Sequence, residues 1–360
     1  MMHKCFTILC CIMICSCMNE RQELITSINP SVLDSALWLY EDSVYRNNAF
    51  MESRELFVYK DSFVLLLNYE DPDIPFLGIY KLSGEYMKGM IKYGNGHGEM
   101  LSAELLLQRD NLIVNDYIKG QLVSIQIDSL LKNQCAPSSF LKYENSGITS
   151  ISARSTGEYV IADPFYIRDD LNNIKQGEKR LFEMKEWQQS VDVKKYKYDT
   201  WNIGGEGMLL YNSKLKKFMY ANKNKSVIEI YDDNDDITLE KEIVGPIELF
   251  PEYSFTKRKN SSVTEVAFKG RVPCAYICCC MDAAFVYFLY IGDYLYSSRS
   301  MTDFHSYILK YDWNGNLIKA YQLERFYRSI SKGYDEDTFY ATRVDDDGNT
   351  ILVKLKTSKR

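Results

Sequence analysis

The chain reads as an all-β protein, a six-bladed β-propeller of four-stranded antiparallel blades, on three observations. Tyrosine is abundant, with 28 residues, and tyrosine and β-branched side chains suit a pleated surface with a wet edge. No stretch after Cys17 sustains helical periodicity over three turns with caps. One unit, a polar turn, a short apolar strand and a second strand a few residues on, occurs six times at spacings of roughly 45 to 70 residues, the period of a blade with insertions.

From the N-terminus, Met1-Met2-His3-Lys4 is followed by ten residues, Cys5 to Ile14, of which only Thr7 is polar. This is a charged n-region and an apolar h-region too short to span a bilayer. Ile14-Cys15-Ser16-Cys17 closes the run with a branched apolar residue and two small residues before a cysteine. These four residues resemble a bacterial lipobox. The resemblance implies a signal peptide over residues 1–16, cut by signal peptidase II, and lipid attachment at Cys17. Two or more acyl chains there suffice for stable anchoring. An ordinary secretory signal or an uncut anchor is the alternative, but Asn19-Glu20-Arg21-Gln22-Glu23 is polar where a spanning helix would stay apolar. Residues 17–34 then form a polar tether, and 35–360 a single propeller domain.

Cleavage removes Lys4 and no acidic residue, leaving 42 basic residues against 49 acidic, a net charge of −7. Such a domain has no electrostatic reason to seek nucleic acid or anionic lipid.

The six strand units begin at Phe63-Val64-Leu65-Leu66-Leu67, Leu112-Ile113-Val114-Asn115-Asp116, Tyr159-Val160-Ile161-Ala162-Asp163, Lys217-Phe218-Met219-Tyr220-Ala221, Phe285-Val286-Tyr287-Phe288-Leu289 and Thr338-Phe339-Tyr340-Ala341-Thr342. Hairpin turns are marked by Ser83-Gly84, by Asn314-Gly315, where both residues tolerate positive φ, and by the acidic run Asp345-Asp346-Asp347-Gly348-Asn349. The last resembles a calcium loop, but Gly348 falls too early for an EF-hand. A solvated turn is the expectation. A ring must close or leave an exposed strand edge. Ala36–Tyr40 or Glu55–Tyr59 is therefore expected to pair with the last strand, around Ile351–Leu355.

Five cysteines lie up to Cys17; the others are Cys135, Cys274, Cys278, Cys279 and Cys280. An odd number excludes a complete disulfide framework. Cys278 to Cys280 are adjacent, so in a strand they point to alternate faces and cannot converge on one ion. Val272–Ile291 is mostly apolar, but a membrane span would carry Asp282 near its centre at about 2.5–3.5 kcal/mol. Two buried strands joined at Met281-Asp282-Ala283, the second closing at Gly292-Asp293, fit better.

The lipobox, the six strand units and the loop Tyr93-Gly94-Asn95-Gly96-His97-Gly98-Glu99 together resemble the TolB-like six-bladed propeller lipoproteins of Gram-negative gut bacteria. Gly94, Gly96, Gly98 and Glu99 match the loop that family carries between its first and second blades; His97 departs from it. Asn202-Ile203-Gly204-Gly205-Glu206-Gly207 is a looser echo. The resemblance implies the shape and a place in the cell envelope more than a function. Met18, not Asp, follows the lipid-bearing cysteine, which by analogy with enteric sorting points to the outer membrane.

No catalytic constellation emerges. The glycine loop lacks the helix that a phosphate loop needs. His97 and His305 are the only histidines after Cys17, and Asp303 could share a strand face with His305 as a hairpin loop would by chance. The expectation is a non-catalytic binding or scaffold module for a glycan or protein partner, with no cofactor and with oligomeric state open. The alternative is a metal-dependent hydrolase, lactonase-like or glycan-cleaving, using Asn115, Asp116, Asp163 or Asn222 in the central channel. An Asp at a strand end more often caps the following turn.

Overall fold

The computed structural model describes residues 25–47, 50, 56–68, 75–108, 110–132, 140–143, 148, 150–154, 156–162, 181–185, 198–199, 206–257, 264–295 and 304–357. Cys17, Cys135, Asp163, Asp303 and residues 202–205 lie outside them.

Six blades follow one another around the ring, the fifth and sixth joined through Leu37–Tyr45 into one eight-stranded sheet. The apolar strands that mark the sequence repeat are, without exception, the second strand of each blade: Phe63–Leu67, Asn111–Asp116, Tyr159–Ala162, Lys217–Asn222, Phe285–Leu295 and Phe339–Val344. The reason is geometric. A second strand has a hydrogen-bonded neighbour on each edge and a blade packed on each face, so it reads as a continuous apolar run rather than an alternating one. The first strands, Leu56–Tyr59, Ala103–Gln108, Ile151–Ala153, Gly207–Asn212, Val272–Met281 and Ser329–Lys332, are innermost. They touch across the borders of blades 3 and 4, 4 and 5, and 5 and 6, and the sixth touches the first. Leu77–Lys81 and Tyr86–Met90 complete blade 1, and Gln121–Gln126 and Leu141–Lys142 complete blade 2. Blade 3 has three strands among the described residues, ending at Leu181–Glu183.

The N-terminal segment binds the other half of the ring together. Ile25–Ser27 adds a parallel fifth strand to blade 4, beside Thr238–Val244. The short helix Ser31–Asp34 follows, burying Leu33. Residues 37–39 then pair in parallel with the outermost strand of blade 5, Leu317–Leu323. The same strand, Leu37–Tyr45, continues into blade 6, where Tyr40 faces Lys356 and Tyr45 faces Leu352 in antiparallel register. Closure by both termini is thus present, but Ala36–Tyr40 supplies it only at Tyr40. Leu56–Tyr59, the other expected partner, is instead the innermost strand of blade 1. Residues 25–34, taken from the sequence as the end of a polar tether, lie on the propeller.

Hairpin turns share one chemistry. Gly84, Gly157, Gly315 and Gly348 each have φ between 79° and 88° and each donates its amide to the carbonyl three residues back. This is a type I turn followed by a left-handed residue, which only glycine adopts without strain. Asn314 does not take positive φ; its amide donates instead to Asp312 Oδ1 at 2.9 Å. The acidic run at 345–349 is likewise a hairpin turn, with Asp345 Oδ1 accepting from the amides of Asp347 and Asn349.

Val272–Met281 and Phe285–Leu295 form the two buried strands expected, with Asp282 at the turn accepting from the amides of Ala284 and Phe285 and from Tyr287 Oη at 2.7 Å. The second strand does not stop at Gly292-Asp293; it passes left-handed Gly292 and runs on to Leu295. Cys278 and Cys280 join one core with blades 1, 2 and 6, whereas Cys279 joins another with blade 4. Adjacent cysteines therefore divide between two faces. One feature was not foreshadowed by the repeat: Tyr253–Lys257 and Thr264–Phe268 form a hairpin between blades 4 and 5, joined by Tyr198–Asp199.

The closing strand is locked by charge. Arg343 Nε donates to Glu41 Oε1 at 2.6 Å, its second nitrogen to Oε2 at 3.0 Å, and Tyr327 Oη also donates to Oε1 at 3.0 Å. Burial pushes the Glu41 carboxyl up, but Arg343 and Tyr327 outweigh it and hold the group below its ordinary 4.5. The pair's contribution is therefore complete above that value and is lost as pH falls through the lower folded value. Glu41→Gln should cost about 2–3 kcal/mol in urea unfolding at neutral pH, below the ~3–5 of a fully buried pair because some solvent contact remains. The difference from the parent should shrink as pH is lowered below 4.5.

Candidate functional site

All six innermost strands, or the residues just before them, contribute to one cavity of about 220 Å³ in the central channel. Phe57 comes from blade 1, Glu104 and Leu105 from blade 2, Ile151 from blade 3, Met208 from blade 4, Ile277 and Cys278 from blade 5, and Arg328 and Ser329 from blade 6. On five blades these are the first residues of the inner strand or its immediate approach, so the cavity lies at the end of the channel where those strands begin.

Most lining side chains are apolar, and the charge is concentrated in four of them: Glu104, Glu206, Lys223 and Arg328. Lys223 Nζ sits 2.9 Å from Glu206 Oε2, and the Lys223 amide donates to the Glu206 carbonyl. Burial pulls the Lys223 ammonium down, but Glu206 and Glu104 outweigh it and hold its pKa above the ordinary lysine value. Gly207 allows this approach, since a Cβ there would meet the Ala221 carbonyl at 2.4 Å. Arg328 differs. Its amide donates to the Thr342 carbonyl at 2.7 Å, while its exposed guanidinium has no hydrogen-bond or ion-pair partner among the described residues.

Polar side chains link neighbouring blades at each border. Ser329 Oγ donates to the Leu56 carbonyl at 3.2 Å, and the Val58 amide to Ser331 Oγ at 2.9 Å, joining blade 6 to blade 1. Tyr59 Oη and Lys60 Nζ reach Asp110 and Asp128 of blade 2. Gln108 bonds Ser152, Ser150 Oγ donates to the Gly207 carbonyl at 2.7 Å, and Asn224 Nδ2 to the Pro273 carbonyl at 2.9 Å. The Ile330 amide donates to Cys278 Sγ at 3.4 Å. Sequence reading missed these residues, because a serine in a short strand carries no local sign that it faces a neighbouring blade.

The sequence-derived channel candidates among the described residues, Asn115, Asp116 and Asn222, are spent on structure. Asn115 lines the cavity, but Nδ2 donates to the Ile148 carbonyl at 2.7 Å and Oδ1 accepts from Tyr143 Oη at 2.8 Å. Asp116 is buried and caps its turn, accepting from the amides of Leu101, Ile118 and Lys119. Asn222 Oδ1 accepts from the Asn224 amide. Among the described residues no group of three or more His, Cys, Asp or Glu is placed to hold a metal ion. His97 and His305 are both exposed, one between blades 1 and 2 and one within blade 5. Cys274, Cys278, Cys279 and Cys280 are buried, and burial pushes the Cys274 thiol up to about 12.

The glycine loop connects blades 1 and 2 as expected, and its polarity is opposite to that of a phosphate site. Lys119 Nζ donates to the carbonyls of Gly94, Gly96 and Glu99 at 3.2, 3.0 and 2.5 Å. The loop thus wraps an ammonium with oxygens rather than an anion with amides. Glu99 Oε2 accepts from the Gly96 amide at 2.6 Å, and a Cβ on Gly94 or Gly96 would collide with that carboxylate. Lys119→Met should destabilise the protein by about 1.5–3 kcal/mol, the range for hydrogen bonds to a charged group. In hydrogen exchange, protection of the Gly94 and Glu99 amides, which close the loop, should fall ahead of that of blade 4.

The sequence profile of the TolB-like 6-blade propeller-like family matches residues 40–332, from the closing strand to the inner strand of blade 6. Among solved structures the chain is similar to a protein from Bacteroides fragilis NCTC 9343, at 11% identity and a TM-score of 0.47, covering 93% of this chain and 99% of that one. It is also similar to a DUF4221 family member from Bacteroides vulgatus ATCC 8482, at 10% identity and a TM-score of 0.49, covering 89% and 96%. A third is the Cps50 (Swd1) β-propeller domain of Myceliophteria thermophila, at 9% identity and a TM-score of 0.43, covering 89% and 100%. No curated protein matches the sequence. With the profile spanning most of the ring and six blades in place, the chain belongs to the TolB-like six-bladed propeller family.

Proposed function

We propose that this protein is an envelope lipoprotein, anchored through Cys17 to the outer membrane, whose propeller binds the acidic end of a glycan at the mouth of its channel without cleaving it. The observation that carries the reading is the contrast between two cations in one cavity: Lys223 is held by Glu206, whereas the Arg328 guanidinium has no partner among the described residues. A guanidinium presents a planar fork suited to a carboxylate. The Lys223–Glu206 pair offers donors and acceptors to sugar hydroxyls, and Phe57 supplies an apolar surface beside them. At about 220 Å³ the cavity is smaller than the ~300–1,000 Å³ of sites for drug-sized ligands, which suits one terminal residue of a chain rather than its middle. A binding role also fits the candidate channel amides and carboxylate, whose oxygens are engaged in turns and strand contacts.

An array of uronate-terminated and neutral glycans, probed with purified protein with and without chelator, tests this. Binding should favour the uronates, survive chelation and fall about ten- to a hundredfold in Arg328→Gln, the range for a charge-assisted hydrogen bond. Preference for peptides with a free C-terminal carboxylate would redirect the reading to a protein partner. Chelator-sensitive release of sugar would overturn it in favour of a hydrolase. Metabolic acyl labelling that Cys17→Ala abolishes tests the anchor separately.

A further inference from the structure

Residues 25–45 cross the outer edges of blades 4, 5 and 6 in succession, and Cys17 lies eight positions before Ile25. A fully extended chain covers at most ~3.5 Å per residue, so the edge of blade 4 stays within about 28 Å of an acylated Cys17. A compact body of this length is roughly 50 Å across. The leash is therefore shorter than the ring, and the rim that carries the N-terminal strap is the one it can hold against a bilayer.

That rim is dressed for the contact. Leu37 is 46% exposed, Trp38 43% and, on the adjoining outermost strand of blade 5, Ile318 48%. The Trp38 ring stacks with Tyr40 at 6.4 Å between centroids and 20° between planes. Tryptophan and tyrosine beside exposed aliphatic side chains are the combination found at the headgroup level of membranes. The domain is net acidic, so apolar contact and not charge would hold it there.

We infer that the rim of blade 5, through Leu37, Trp38 and Ile318, seats in the headgroup layer of the membrane to which Cys17 is anchored. The channel axis then lies along the bilayer surface, and the cavity mouth opens sideways to chains in the envelope rather than into lipid. The inference rests on the lipid-anchor reading but is independent of which ligand the channel takes.

The test uses the full-length lipoprotein in phosphatidylethanolamine–phosphatidylglycerol vesicles, with a benzophenone amino acid placed at Trp38 or, as a control, at Leu141. Leu141 is 40% exposed on the outermost strand of blade 2, across the ring from the strap. On irradiation, the probe at position 38 should form lipid adducts at least tenfold above that at 141. Acyl labelling of Cys17 in the same preparation separates the two levels of the argument. Labelled protein with equal adducts at both positions, or with position 38 cross-linked to protein instead of lipid, overturns the rim contact and leaves the anchor standing. Protein without the label overturns both. Leu37→Ser with Ile318→Ser, which leaves Trp38 available for depth-dependent quenching by brominated lipid, should reduce that quenching at least threefold; unchanged quenching counts against the contact.

Discussion

A ring of blades leaves two raw strand edges unless its ends meet, and the pairing of residues 40–45 with Thr350–Lys356 is the contact on which everything else here depends. That pairing brings a strand from the start of the domain beside one from its end, so loop closure over almost the whole chain is settled at one seam. The seam is reinforced where failure would be most costly. Arg343 grips Glu41 with two hydrogen bonds, and Tyr327, from the border of blades 5 and 6, donates to the same carboxylate. The strap that leads into the seam has already added an outer strand to blades 4 and 5, so pulling it away would strip edges from three blades at once.

Closure is also what creates a site. Only when the sixth inner strand lies against the first do Ser329 and Ser331 meet the backbone of Leu56 and Val58, and only then do Phe57 and Arg328 share a cavity with Glu104, Glu206 and Lys223. The chemistry of the mouth follows from its position. Inner strands are packed by apolar side chains along most of their length, and charge is tolerated at their first residues, where solvent reaches it. Lys223 keeps its charge there because two carboxylates offset its burial.

Much of this was legible in the sequence, and the physical reasons divide cleanly. The second strand of each blade is buried on both faces, so Phe63–Leu67 and its five counterparts stand out as apolar runs and count the blades correctly. Asp282 at a turn and Gly84, Gly315 and Gly348 in hairpin turns are local signals and were readable as such, although Asn314 does not share the positive φ expected of it. Register between distant segments was not: Leu37–Tyr45 alternates too weakly to show that its first residues serve blade 5 and its last serve blade 6. The site was the least legible part. Arg328, Glu206 and Lys223 lie far apart in the chain and gain meaning only from ring geometry, whereas Asn115, Asp116 and Asn222, conspicuous at strand ends, are consumed by turns and strand contacts.

The N-terminal strand is an integral part of the last blade and not an arm resting on a finished ring. Native-state hydrogen exchange decides it most directly. Amides that pair residues 40–45 with Thr350–Lys356 should be as protected as those of Phe339–Val344 and should be lost with them in one cooperative opening. Rapid exchange of residues 40–45 while Phe339–Val344 stays protected would show that the ring closes without its N-terminal strand, and would contradict the account.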